Sequence, residues 1–235
     1  MTTFILVHGA WYGPWAWERV TPLLHEAGIR TVTPTLTLEG DAGLDTHVQE
    51  LLTVLDDEAA ADGDVVLVGH SYAGLVVRQA ADQRPGQVSH IMMIDGWAGG
   101  DGESLFSLAP DAFVTAISRG ARARADGRHV PAPQPERFGI TDPEDARRLA
   151  QRLRPQPLRT FTEATRLSGA VNQIPGTAIY CHPPTFPFEQ FGKAVGYRTL
   201  PLDGPHDVMG THPQEVARLL VDIHTSQFNN EKARH

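Results

Sequence analysis

The sequence predicts an α/β fold: a mostly parallel sheet of about six strands with helices on both faces. Three observations carry that expectation. Short β-branched or leucine-rich runs recur at residues 4–7, 30–33, 65–68, 90–94, 177–180 and 197–200, all but the first bounded by Gly, Pro or Asp on at least one side. Apolar runs of that length suit strands buried on both faces. Helical patterns with one apolar face lie between the runs, and a serine flanked by glycines directly follows the third run, as a strand-to-helix turn would require.

Taken in order, the first run breaks at once into His8-Gly9-Ala10-Trp11, so a loop leaves its tip. Trp15 and Trp17 then fall in a helical pattern with Val20 and Leu23, which assigns them to the core. After the second run, Val48, Leu51, Leu52 and Leu55 share one helical face, with Glu50, Asp56 and Asp57 elsewhere. The third run leads into Gly69-His70-Ser71-Tyr72-Ala73-Gly74, and the fourth ends at Asp95. Residues 97–168 contain no convincing strand, several helix-like pieces and a proline-dense stretch at 130–135. A structureless loop of that length is improbable in a folded domain, so this stretch is expected to form a partly helical cap. It would sit between the strand ending near Asp95 and the strand starting near Gly176. No Ser/Gly-rich or charge-dense linker divides the 235 residues, and one domain over residues 1–235 is expected, with the cap at about 97–168.

Composition narrows the function. A formal net charge of -8, from 20 Lys+Arg against 28 Asp+Glu, supplies no basic footprint for nucleic acid or an anionic membrane. Cys181 is the single cysteine, so neither a disulfide framework nor a multi-cysteine metal site is available, and a core thiol is its expected role. No metal and no cofactor are expected. The longest apolar run near the start is too short for a signal-peptide core or a membrane span, and a cytoplasmic protein acting on a neutral or apolar small molecule is the expectation.

Ser71 is the candidate nucleophile. A sharp strand-to-helix turn forces such a serine into a strained conformation and requires small neighbours; here Ala73 stands at the usual second glycine position and Gly74 follows. The turn points Ser71 at a helix N-terminus, where the N–H of Tyr72 can face an oxyanion. The loop after the first strand would bring the N–H of Ala10 as a second donor, with His8 tying that loop. A serine needs a base, and His206, in Gly204-Pro205-His206-Asp207, follows the last strand on the same sheet edge. His182, at the end of another strand, is the competitor, read as a residue lining the pocket.

These motifs together resemble the α/β-hydrolase superfamily: Val7-His8-Gly9-Ala10-Trp11, Gly69-His70-Ser71-Tyr72 and Gly204-Pro205-His206-Asp207 occur in its chain order. Within it the chain is most similar to the small branch of plant methyl-ester esterases, hydroxynitrile lyases and related bacterial esterases. The similarity covers nearly the whole chain and is weakest in the cap. It implies Ser71 as nucleophile, His206 as base, and the backbone of Ala10 and Tyr72 as oxyanion donors. The lyase branch is less similar, since it carries threonine at the position of Gly9 and lysine at that of Asp207.

The acid departs from the family pattern. Most members carry it in the loop after the strand at 177–180, but here that loop reads Cys181-His182-Pro183-Pro184-Thr185-Phe186-Pro187-Phe188, with no carboxylate before Glu189. Phe186 stands where a related sequence would have aspartate. Asp95, directly at the tip of the strand 90–94, ranks ahead of Glu189, which begins a surface helix, and of Asp203, which is very close to His206 along the chain. A purely structural Asp95, capping the turn at Asp95-Gly96, stays open at this point.

Trp11, Tyr12, Trp97, His182 and Phe186 are the expected substrate-binding residues, and an aromatic lining suits a small aryl or acyl ester. The leading expectation is a serine hydrolase that cleaves a small apolar or aromatic carboxylic ester through an acyl-enzyme. Two alternatives stand beside it: a cyclase or lyase that uses the same cradle without an acyl-enzyme, and a ligand-binding protein on a hydrolase scaffold.

Overall fold

Eight strands form among the described residues, 2–59 and 64–232 of a computed structural model. They are β1 (Thr2–Val7), β2 (Arg30–Val32), β3 (Asp64–His70), β4 (His90–Ile94), β5 (His129–Val130), β6 (Gln156–Pro157), β7 (Gly176–His182) and β8 (Arg198–Asp203). Six of them make one sheet in the order β2-β1-β3-β4-β7-β8, and every neighbouring pair is parallel.

The runs at the middle of the sheet are strands because they are apolar on both sides, whereas the edge strands β2 and β8 are largely exposed or half-buried. Phe4 to Val7, Val65 to Val68 and Ile91 to Ile94 are all buried, and each such side chain contributes roughly 1.5–3 kcal/mol relative to its exposed state. The helix Leu44–Ala59 buries Val48, Leu51, Leu52 and Leu55 on the expected face. The helix Ala73–Gln83 is buried from Ala73 through Asp82, since it is packed between β3, β4, the helix Leu44–Ala59 and the 3-10 turn Ala170–Gln173.

The insertion between β4 and β7 carries the helices Leu105–Leu108, Asp111–Arg122, Pro143–Arg152 and Arg159–Thr162. It also contains strand pairing where the sequence predicts none: β5 and β6 are antiparallel, with His129 opposite Pro157 and Val130 opposite Gln156. Two residues per strand are too few to leave an alternating pattern. The insertion's far end is moored by Asp82, whose carboxylate accepts the N–H groups of Ser168 (2.6 Å), Gly169 (3.1 Å) and Val171 (2.9 Å).

Register brings the functional motifs to one edge. Val7 pairs with Gly69, His70 with Ile94, Ile94 with Ile179 and His182 with Asp203. The residues that follow these strand ends, Gly9, Ser71, Asp95 and His206, therefore emerge at the carboxyl edge of the sheet, where open α/β sheets bind ligands. No helix among the described residues is long and apolar enough to cross a membrane.

Candidate active site

Ser71 has φ +53°, in the left-handed region, a position that costs a non-glycine residue roughly 1–2 kcal/mol. It is held there from both sides. Its N–H donates to the Ile94 carbonyl (3.0 Å), and its own carbonyl accepts the N–H groups of Gly74 (3.0 Å) and Trp97 (3.0 Å). The chain leaving β4 thus crosses directly over the helix start, and a Cβ at Gly74 would collide with the Trp97 carbonyl. That contact explains the shifted glycine: the close approach falls at Gly74, while Ala73 fits where it is. At Gly9 a Cβ would lie 2.8 Å from His70 Nδ1 and 3.0 Å from Ser71 Cβ, so glycine there lets the β1 loop sit against the serine.

His206 is fixed by its backbone and by its ring. Its N–H donates to the Phe138 carbonyl of the cap (2.9 Å), and its carbonyl accepts Nε2–H of His70 (3.0 Å). Phe138 stacks on the imidazole at 6.0 Å and 8°, and Phe188 at 5.5 Å and 13°. Between these two rings, Nε2 accepts the Ser71 hydroxyl at 3.0 Å and Nδ1–H donates to Asp95 Oδ2 at 2.8 Å. Asp95 has φ +44°, donates its N–H to the Ile179 carbonyl (2.8 Å) and accepts the Cys181 N–H on Oδ1 (2.6 Å). Asp95 is wholly sealed at 0% exposure while Ser71 keeps 8%, which leaves the serine end of the line as the end a substrate reaches.

The other two carboxylates lie elsewhere. Glu189 sits on the surface helix Phe188–Ala194 and pairs with Lys193 at 2.7 Å, and Asp203 is exposed at the end of β8. The structure therefore brings Asp95, and neither alternative, to the imidazole.

Ala10 and Tyr72 flank the serine, and among the described residues neither backbone N–H donates to a protein acceptor. The Tyr72 side chain is anchored by its hydroxyl, which donates to His47 Nδ1 (2.9 Å), while His47 Nε2–H donates to the Thr37 carbonyl (2.7 Å). His8 uses both ring nitrogens on the loops: Nδ1–H donates to the Gly9 carbonyl (2.9 Å) and Nε2 accepts the Leu36 N–H (3.1 Å). Burial pushes the His8 pKa down to about 4, so the ring stays neutral and can play both parts at neutral pH. Burial likewise holds His70 well below the usual histidine range, which keeps a second charge away from His206.

The expected substrate-binding residues divide. Trp97 and half-buried Phe186 meet at 5.0 Å and, with Phe113 of the cap helix Asp111–Arg122 and Phe191, form an aromatic cluster. Trp11 packs on Phe161 at 5.3 Å with its indole N–H donating to the Val130 carbonyl (3.3 Å). Tyr12 requires a correction. It is buried, stacks on Trp15 at 5.2 Å and meets the edge of His70 at 5.5 Å, so it belongs to the core beneath the serine turn. Side chains alternate along β7, Cys181 points inward, and His182 lies exposed outside the hydrogen-bonded line, so the competing base is not brought to Ser71. His47, His70 and Gln156, which all support the site, carry no sequence signal beyond being polar residues beside apolar ones.

A sequence model of the alpha/beta hydrolase family matches residues 4–219. A carbendazim hydrolyzing esterase from Nocardioides sp. (strain SG-4G) is 32% identical over 246 aligned positions, covering 95% of this chain and 100% of that protein. Methylesterase 2 of Arabidopsis thaliana is 37% identical over 94 residues, 37% of this chain and 36% of that protein. Among solved structures, an extracellular alpha/beta-hydrolase from a Paenibacillus species aligns with a TM-score of 0.85 over 94% of this chain and 98% of that one; at 22% identity this likeness concerns the fold. Matched by the family over most of its length, and by a relative that it covers from end to end, the chain belongs to the alpha/beta hydrolase family.

Proposed function

We propose that the chain is a serine hydrolase of small carboxylic esters, with Ser71 as nucleophile, His206 as general base and acid, and Asp95 as the group that orients the imidazole and balances its charge. The observation that carries this reading is the unbroken hydrogen-bonded line from Asp95 through His206 to Ser71. In such a line, Nε2 takes the Ser71 proton as Oγ adds to the ester carbonyl, and the buried Asp95 carboxylate stabilises the imidazolium that results. The N–H groups of Ala10 and Tyr72 receive the oxyanion. His206 returns the proton to the departing alcohol, an acyl-enzyme is left on Ser71, and water resolves it by the same steps in reverse roles.

The aromatic cluster of Trp97, Phe113 and Phe186 supports an apolar or aromatic substrate. The names of the relatives, a carbendazim hydrolyzing esterase and a methylesterase, support an ester with a small leaving alcohol. Phe186 in the usual acid slot is the reason to weigh a cyclase, a lyase or an inactive binding protein, and the Asp95 contact supports the hydrolase reading over these.

Substitution of the nucleophile and covalent labelling test this reading. Ser71→Ala should leave circular dichroism unchanged and lower turnover of p-nitrophenyl esters by at least about 10⁴-fold, with His206→Ala close behind, because such a unit fails as a whole. A fluorophosphonate should label the wild type one to one and leave Ser71→Ala untouched. Wild-type turnover by purified Ser71→Ala would overturn the reading.

A further inference from the structure

Trp11 follows the Ala10 donor and stands at φ +68°. A bulky residue keeps a left-handed conformation only where its surroundings over-determine it. Here the polar surroundings come from the cap. Gln156 Oε1 accepts the Trp11 N–H at 2.8 Å, the Trp11 carbonyl accepts the Arg154 N–H at 2.9 Å, and the indole N–H donates to the Val130 carbonyl at 3.3 Å. Of these three, Gln156 acts through its side chain. Its amide is itself oriented: Nε2–H donates to Thr160 Oγ1 (2.9 Å), whose hydroxyl donates to the Pro157 carbonyl (2.7 Å). Gln156 and Thr160 are both fully buried, and a buried amide kept merely to fill space would be inferior to a hydrocarbon of the same size.

We propose that Gln156 is a positioning residue for the oxyanion hole. The N–H it takes belongs to the Ala10–Trp11 peptide, so its grip fixes the plane that follows Ala10 and keeps the Ala10 N–H free and turned towards Ser71. Seating of β6 in the cap and assembly of the hole then become one event. The inference rests on the hydrolase reading above, in which Ala10 and Tyr72 receive the oxyanion.

Gln156→Leu keeps the volume and removes the acceptor, whereas Gln156→Glu keeps an oxygen on the Trp11 N–H. In Gln156→Leu, kcat for a p-nitrophenyl ester should fall by about 10- to 100-fold with KM moving less than about threefold, the pattern of an interaction made in the transition state. A trifluoromethyl ketone, whose adduct with the serine places an oxyanion in the hole, should lose affinity by the same factor as kcat/KM. Gln156→Glu should return to within about fivefold of the wild type, since hydrogen bonding to the Trp11 N–H is retained. If Gln156→Leu does not fold, Thr160→Val, which frees the amide to rotate, should show the same split with a smaller fall of about 3- to 10-fold. Wild-type kcat in Gln156→Leu, or in Thr160→Val where Gln156→Leu does not fold, or a fall in kcat without a matching loss of ketone affinity, overturns the proposal. A wild type that neither turns over esters nor takes the fluorophosphonate would instead bring down the hydrolase reading, and this proposal with it.

Discussion

The ends of β4 and β7 lie side by side and hold opposite contents. β4 runs out into Asp95, whose carboxylate is spent on His206 and on the Cys181 N–H. β7 runs out into Cys181 and His182 and then a loop whose Phe186 packs on Trp97 and Phe113, with no carboxylate before Glu189. Neighbouring strands are about 4.8 Å apart, so an acid moved over by one strand is still within reach of a loop that can shift its imidazole by a side chain's length. What the site fixes is a carboxylate facing Nδ1, whichever strand delivers it. β7 still takes part, because its backbone, through the Cys181 N–H at 2.6 Å, holds the oxygen that His206 does not use.

The largest effect should come from exchanging the acid itself. Asp95→Asn preserves shape but lets an amide N–H face the imidazole, which favours the wrong tautomer, and kcat should drop on the order of 10⁴-fold. Glu189→Gln and Asp203→Asn should stay within about twofold of the wild type, as expected for surface carboxylates whose ion pairs or exposure leave them little energetic weight. Measuring the three side by side breaks the contrast between the strands if Asp95→Asn keeps most of its rate, because β4 would then carry a structural aspartate and nothing more.

The parallel sheet and the serine turn were legible because each leaves a local pattern: apolar runs such as residues 65–68, and glycines where backbone approaches backbone at Gly9, Gly69 and Gly74. Asp95 could be ranked first from its place at a strand tip, yet the sequence could not separate a carboxylate on His206 from one capping the next turn, since both need only an aspartate before glycine. The supports of the site were not legible at all. Gln156 meets Trp11 across 145 positions and His47 meets Tyr72 across 25, and a single polar residue among other polar and charged ones has no period to reveal its partner. Aromatic composition was misleading for Tyr12, because an aromatic residue near a site can lie beneath it as readily as line it.

A smaller effect separates a buried carboxylate that has the imidazole from one that lacks it. Asp207, next to His206, is buried at 1% exposure beside the Tyr12 hydroxyl, and its Oδ2 lies 3.5 Å from Arg148. Burial pushes its pKa up from 3.8 to about 6, against the opposing pull of Arg148. A raised carboxyl pKa means that the folded state binds the proton more tightly than the unfolded state. This group's stabilising contribution is therefore complete below about pH 4 and is lost as pH rises through about 6. Asp207→Asn removes the titration, so the variant should gain on the wild type across that window by about 2–3 kcal/mol and hold a constant difference above it. Urea unfolding of both proteins at several pH values from about 4.5 to about 7.5 reads the difference directly, other titrations cancelling. A difference that does not change with pH would mean that Asp207 is ionised throughout, its burial offset by Arg148.

The smallest effect belongs to β7's own contribution. Burial, and then the neighbouring Asp95 carboxylate, push the Cys181 thiol well above its usual range, so it stays protonated at any working pH. Two donors at position 181 could therefore face Asp95: the thiol, a weak donor, and the backbone N–H, which makes the 2.6 Å bond. Cys181→Ala deletes the first and leaves the second in place. If β7 supports the acid through its backbone, kcat should remain within about threefold of the wild type, with roughly 1 kcal/mol of stability lost to the small cavity left by the sulfur. Cys181→Ser, which exchanges the weak donor for a strong one, should then be no more active than Cys181→Ala. A tenfold fall in kcat for alanine that serine restores would reverse the assignment and make the side chain, rather than the strand, the part of β7 that holds Asp95 in place.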